Sequence, residues 1–173
     1  MGRDKAALLI DGEPLWKRQL ATLRATGADN LFISAREDSP YAAADVRIIG
    51  DLTPDAGPLA ALEAVLPSID TTHAVVLAID LPAMRADFLA LLVETALAKD
   101  CGVVPEMDGR FEPLAAVYTP GILPLVRECL RGPDRSMQNL LRAAMERGLV
   151  IAHPIRAEDR ALFRNLNFPE DLA

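Results

Sequence analysis

Cysteine and histidine are scarce in this sequence, two of each in 173 residues. Cys101 and Cys129 fall on different predicted elements without CxxC spacing, which argues against both a zinc site and a disulfide framework. Both read as small apolar residues that favour burial. His73 and His153 lie at predicted strand edges, apart and without a partnered Cys or Asp, and read as surface or structural histidines. Basic charge is also short: 18 basic side chains face 25 acidic ones, a net charge of −7. Such a chain lacks the basic face that displaces counterions from a nucleic-acid backbone, so no nucleic-acid partner is expected. A local, metal-assisted site for an anionic small substrate stays open. No apolar run approaches the ~18–20 residues of a membrane span. The start has charges where a signal peptide needs an apolar core, and Ala6 stands where myristoylation of Gly2 would want Ser or Thr. A cytoplasmic protein without a membrane partner is therefore expected. With no repeat, low-complexity tract or linker, residues 1–173 are expected to form one domain, long enough to bury a core without staples.

Short β-branched runs alternate with longer helical stretches, the pattern of βαβ units around a parallel sheet. Residues 14–26 predict a helix with Trp16, Leu20 and Leu23 on one stripe and Gly27 as its stop. "NLFIS" (30–34) and "VRII" (46–49) predict strands, and "GPLAALEAVLPS" (57–68) a helix. "HAVVLAID" (73–80) is apolar without alternation, as for a strand covered on both faces. A helix is expected over 85–99, with Phe88, Leu91, Leu92 and Ala96 on one side. Strands are expected at 102–106 and 112–118 around the hairpin dipeptide Asp108-Gly109. Helices near 121–130 and 136–147, the second capped by Ser136, and a strand at 149–153 complete the pattern.

Asp80 is the most informative position. A carboxylate at the carboxyl end of a buried parallel strand stands where open α/β sheets place their ligands, and a hard oxygen there suits Mg²⁺ held against phosphates. The same residue could instead cap the turn that follows. "DLTPDAGPLAAL" (51–62) follows "VRII" in the same way: Gly-Pro at a helix start permits close backbone approach to an anion, or forms an ordinary loop. Lys5 could carry charge to a phosphate leaving group or be solvated surface. "NLNFPEDL" (165–172) reads as a helix start with Asn167 as cap and Pro169 in the first turn, or as asparagines facing a ligand.

Taken in order, "MGRDKA", "DLTPDAGPLAAL", "VVLAIDLPAM", "GRFEPLAAVY", "RSMQNLL" and "NLNFPEDL" resemble the successive motifs of the molybdenum cofactor guanylyltransferase (MobA) group of nucleotidyltransferases. The resemblance implies a Rossmann-like three-layer α/β fold with a mostly parallel sheet. It also implies transfer of GMP from MgGTP to molybdenum-bound molybdopterin with release of pyrophosphate. Residue by residue, it implies that Lys5 contacts the GTP phosphates, that Asp80 holds Mg²⁺, and that Asp51 and Ser34 bind the nucleotide. Asn165 and Asn167 would lie near the pterin side. Client molybdoenzymes or their chaperones are implied as partners, and a monomer is expected. The Asp before Lys5 tilts nucleotide choice from CTP toward GTP; a cytidylyltransferase and a non-catalytic cofactor- or client-binding module are the alternatives.

The pattern departs from the group at its beginning. Family members carry, before the segment resembling "MGRDK", a buried strand and an "LAGGxSxR" loop, roughly 15 to 20 residues by the usual length of a strand plus turn. Either Met1 is an internal methionine of the motif or the truncation is genuine; the first is expected. In both cases the 173-residue chain is expected to transfer GMP poorly until such a segment is restored.

Overall fold

Two residues with left-handed backbones, Asp11 (φ 52°) and Gly12 (φ 82°), turn strand β1 (Leu9–Ile10) into β2 (Glu13–Pro14). Helix α1 (Leu15–Arg24) starts directly from Pro14. The computed structural model describes residues 5–28, 30–36, 39, 41 and 46–166, with the backbone alone at Lys5. Strands β3 (Phe32–Ser34) and β4 (Arg47–Ile49) pair in parallel. Helix α2 (Pro58–Val65) follows, prolonged by a 3₁₀ turn at Leu66–Ser68. Then come β5 (Ala74–Leu77) and α3 (Ala86–Lys99). The expected Asp108-Gly109 hairpin joins β6 (Gly102–Met107) to β7 (Arg110–Phe111), with φ values of 52° and 77° at the turn. β8 (Ala115–Tyr118), α4 (Leu123–Arg131), α5 (Met137–Glu146), β9 (Val150–Pro154) and a 3₁₀ segment at Ala157–Phe163 complete the order. Ser136 caps α5 as expected, its Oγ accepting from the Asn139 N–H at 3.2 Å.

The α/β class stands, and within it the sheet is mixed. β8 runs antiparallel between β5 and β6, and β7 is antiparallel to β6, while β9 lies parallel to β6 and β3 to β4. The mixed character has a local cause. The Asp108-Gly109 turn joins β6 to β7 without a crossover element and so reverses the chain, and β8 continues in the direction of β7, antiparallel to β6. The strand expected over 112–118 begins only at Ala115: Glu112–Leu114 interrupt the ladder between β7 and β8, which run in the same direction along β6.

Side-chain alternation divides the core between the two faces of this sheet. Ala116 and Tyr118 of β8 and Val104 of β6 pack with α2, α4 and α5; Ala115, Val117 and Val103 pack with α3 and with Leu162 and Phe163. Helices thus cover both faces, the three-layer arrangement expected. Buried Tyr118 donates its hydroxyl to the Pro113 carbonyl at 2.8 Å, and burial pushes its phenol well above the ordinary range. Both cysteines are buried and free, and burial raises both thiols. On α3 the buried stripe is Phe88, Leu89, Leu92 and Ala96, and Leu91 points outward. No helix among the described residues is long and apolar enough to cross a membrane.

Gly102 lies where β6 approaches β9. A Cβ there would stand 2.7 Å from Val150 Cγ1 and 2.9 Å from the Val117 carbonyl oxygen. Backbone cannot yield as a side-chain tip can, so Gly102→Ala is expected to cost about 1–3 kcal/mol, as overpacking does. A lower calorimetric melting temperature would register it.

His153 has its ring edge-on to Phe88, centroids 6.0 Å apart. Burial, aided by Arg156 and opposed by Asp159, holds its pKa below the ordinary value. The unfolded chain therefore takes up this proton first as pH falls through about 6.5. Stability contributed by neutral His153 is full above that pH and is lost as pH falls toward the folded pKa. Denaturant midpoints measured between pH 7.5 and 5 should fall for the wild type and fall less for His153→Gln.

Candidate active site

Three of the expected site residues, Ser34, Asp51 and Asp80, stand at or just beyond the carboxyl ends of strands. Ser34 ends β3 and Asp51 follows β4, and parallel pairing puts Ser34 level with Ile49. The Ser34 hydroxyl donates to the Asp51 carboxylate at 3.0 Å, and both residues are exposed to solvent. This pair joins two residues that sequence order separates, and it leaves Asp51 with lone pairs for a further donor.

Asp80 lies three residues beyond β5, half-buried in a tight loop. That loop is pinned from three directions. The buried Gln19 side chain of α1, 5% exposed, donates through Nε2 to the carbonyls of Ala78 at 2.9 Å and Leu81 at 2.8 Å. The Ala78 N–H donates to the Leu114 carbonyl, and the Leu166 N–H donates to the Asp80 carbonyl at 2.8 Å. The last bond sets the exposed Asn165 next in chain to a residue bonded to Asp80. Asp80 uses its carbonyl, not its carboxylate, in this anchoring, so its carboxylate is available for a ligand.

Gln19 is absent from the residues that the sequence singles out, although it offers a signal: a polar residue on the apolar stripe of Trp16, Leu20 and Leu23. Its Oε1 is buried with no hydrogen-bond partner among the described residues. Gln19→Leu would leave two loop carbonyls short of a donor, and a loss of about 2–3 kcal/mol in chemical denaturation is expected, the cost of stranding buried acceptors.

Glu112 is a second residue that sequence reasoning passes over. Its carboxyl lies above the ordinary range, raised first by burial and further by the nearby Asp80 charge, against the lowering effect of Arg110. Thirty-odd positions and two connections separate the two carboxylates in the chain, so no spacing rule could join them. Two acidic groups that repel one another mark a place where positive charge is favoured. Among the described residues no three His, Cys, Asp or Glu side chains converge as a ready-made metal cage. The arrangement suits a cation that completes its shell with phosphate and water.

Asn167 and the Lys5 side chain lie outside the described residues; the Lys5 backbone opens a 3₁₀ turn at Lys5–Ala7 before β1. At the start of α2, Gly57 adopts φ 60° before Pro58 at the first helical position. That left-handed backbone explains glycine in the "GPLAAL" loop.

A family model for the MobA-like NTP transferase domain matches residues 1–148. The chain belongs to that family. Among its relatives, a probable molybdenum cofactor guanylyltransferase of Opitutus terrae is 36% identical over 99% of this chain and 86% of that protein. A molybdenum cofactor guanylyltransferase of Pseudomonas putida KT2440 is 30% identical over 99% and 87%. The fold also matches the crystal structure of molybdopterin-guanine dinucleotide biosynthesis protein A from Archaeoglobus fulgidus. The TM-score is 0.78 at 22% identity, covering 99% of this chain and 88% of that one. Membership makes the chain a nucleotidyltransferase.

Proposed function

We propose that this protein transfers GMP from MgGTP to the terminal phosphate of molybdenum-bound molybdopterin, forming the guanine dinucleotide cofactor and releasing pyrophosphate. The observation that carries the reading is the anchored Asp80 loop, with Glu112 within electrostatic reach and Asn165 next in chain to its partner Leu166, beyond the carboxyl end of β5 as the Ser34–Asp51 pair lies beyond those of β3 and β4. Names given to the relatives support the substrates.

In this reading Asp80 holds Mg²⁺ with Glu112 in support, and the metal, when bound, neutralises triphosphate charge. The chain's own residues position. Asp51 fixes the Ser34 hydroxyl against the nucleoside, Lys5 bears on the phosphates, and Asn165 and Asn167 face the pterin. The pterin phosphate oxygen forms a bond to the α-phosphorus as the bond to pyrophosphate breaks. Such a displacement needs alignment and charge neutralisation and no protein nucleophile. Rigid loops favour that alignment, and here Gln19 bonds the flanking Ala78 and Leu81 carbonyls and Leu166 the Asp80 carbonyl, which hold the loop before substrate arrives. The protein acts in the cytoplasm as a monomer, without nucleic acid or membrane, and passes its product to molybdoenzymes or their chaperones.

The test incubates the protein with MgGTP and molybdenum-molybdopterin and follows dinucleotide and pyrophosphate by mass spectrometry, with CTP as competitor. Formation of the guanine dinucleotide supports the reading. Faster turnover of CTP would make it a cytidylyltransferase, and cofactor binding without any nucleotide binding in calorimetry would make it an accessory module.

A further inference from the structure

Among the described residues, no strand pairs with the outer edge of β7. β9 pairs with Gly102–Glu106 along one side of β6, which leaves β8 and β7 to share the other side, one behind the other. β5 covers the outer edge of β8, but its ladder stops at the Leu77–Ala115 pair, so β7 projects beyond the end of β5 on the side of the Asp80 loop. Between β7 and β8 the chain is bulged. The pairs Val103–Val117 and Glu106–Phe111 set two residues of β6, Val104 and Pro105, against the five from Glu112 to Ala116. Bulges re-aim side chains, and they are frequent beside active sites. Here the extra residues fold into a turn that Glu112 opens, the Ala115 N–H donating to the Glu112 carbonyl at 3.4 Å. The Ala78 N–H, two residues before Asp80, donates to the Leu114 carbonyl in the same turn at 2.6 Å. The bulge therefore sits on the approach to Asp80, and the Asp80 charge reaches the Glu112 carboxyl.

A bulge leaves backbone groups without a ladder partner, and what satisfies them decides how firmly it holds. Backbone direction alternates along a strand. The Glu112 N–H turns inward to the Pro105 carbonyl at 2.8 Å, so the Phe111 N–H and carbonyl turn outward. In place of a strand, one side chain of α5 meets them. Gln138 Oε1 accepts from the Phe111 N–H at 3.2 Å, and Gln138 Nε2 donates to the Phe111 carbonyl at 2.8 Å. A primary amide matches a peptide edge in both donor and acceptor, and only Asn and Gln carry that planar pair. The two bonds hold the residue immediately before Glu112 from a position 27 residues away in sequence. Helix α5 itself does not require glutamine there: its cap is Ser136, its buried positions are Met137, Leu140, Leu141 and Ala144, and Gln138 is half-buried.

We propose that Gln138 is a positioning residue for the metal site: standing in for a strand on the open edge of β7, it holds the bulge that aims Glu112 at Asp80. This rests on the proposed function, in which Asp80 holds Mg²⁺ with Glu112 in support. Gln138 touches neither metal nor substrate. Without its two bonds the bulge relaxes, and Glu112 no longer adds its charge to that of Asp80.

The test is a double-mutant cycle on the full chain with Mn²⁺ alone as the probe, free Mn²⁺ being counted by electron paramagnetic resonance. Glu112→Gln is expected to weaken Mn²⁺ binding about 5-fold, as loss of one negative charge near the ion does, and Gln138→Met to weaken it to a similar extent. In the Glu112→Gln background, Gln138→Met is expected to change affinity by less than about twofold, because both substitutions act on one interaction. Amide exchange at Phe111 is expected to speed up at least ~10-fold in Gln138→Met, since an opened edge loses its protection. Gln138→Ala, favoured in a helix, carries the same measurements if methionine disturbs folding. Wild-type affinity in the Gln138 variants overturns the proposal, and so does unchanged exchange at Phe111. An equal loss of affinity in the Glu112→Gln background overturns it as well, since Gln138 would then act on structure at large and not through Glu112. Failure of the underlying reading shows elsewhere: Mn²⁺ binding that Asp80→Asn leaves intact would remove Asp80 from the metal, whatever the Gln138 variants do, and the proposal with it.

Discussion

Asp80→Asn is expected to slow guanylyl transfer about 10³-fold while the melting temperature stays within about 2 °C of the wild type. A positioned charge opposite a reacting phosphate is worth several kcal/mol in the transition state, and amide in place of carboxylate removes that charge without removing bulk. Stability should hold because the anchoring of this loop runs through main-chain carbonyls at Ala78, Asp80 and Leu81, which asparagine leaves intact. Relief of the repulsion with Glu112 acts, if anything, in the stabilising direction. Steady-state kinetics beside a thermal melt checks it. Wild-type turnover in the variant would remove Asp80 from the chemistry, and loss of the folded transition would reassign it to structure.

Leu140→Ala should show the converse, a large stability effect without a change of chemistry. Leu140 is fully buried on α5, within the cluster that joins α2, α4 and α5 to the sheet. Truncating such a residue removes transfer free energy and leaves a cavity that close-packed neighbours fill only in part, about 2–5 kcal/mol. At this chain size that corresponds to a fall of roughly 10 °C in melting temperature. The per-molecule activity of the fraction that remains folded should be unchanged, because Leu140 lies on α5 in a cluster of which Ser34, Asp51 and Asp80 are not members.

Local signals were legible where a residue's own chemistry decides its backbone. Asp108-Gly109 makes the turn it advertises, Ser136 caps its helix, and Gly57 takes the left-handed backbone its loop needs. The same dipeptide rule holds at Asp11-Gly12, where it makes the β1–β2 hairpin, an element outside the expected pattern. Element ends were less legible. α1 begins one residue late because Pro14 ends β2, and residues 157–163 coil into a 3₁₀ segment without any periodicity to announce it. The expected helix start at Asn167 and Pro169 lies outside the described residues.

By itself the sequence determined the α/β class, the order of the elements, and the ordered motifs that carry family membership, with Asp80, Asp51 and Ser34 at strand ends. Each of these depends on residue type and near-neighbour spacing, which a chain displays along its length. Tertiary structure alone decided which groups come together: Glu112 within electrostatic reach of Asp80, the Gln19 amide on two carbonyls of the Asp80 loop, Leu166 on the Asp80 carbonyl, and Ser34 with Asp51. It also left β5, read as covered on both faces, half-open along one side. Distance in space between residues far apart in sequence is set by how sheets pair and helices pack, and no local pattern encodes it.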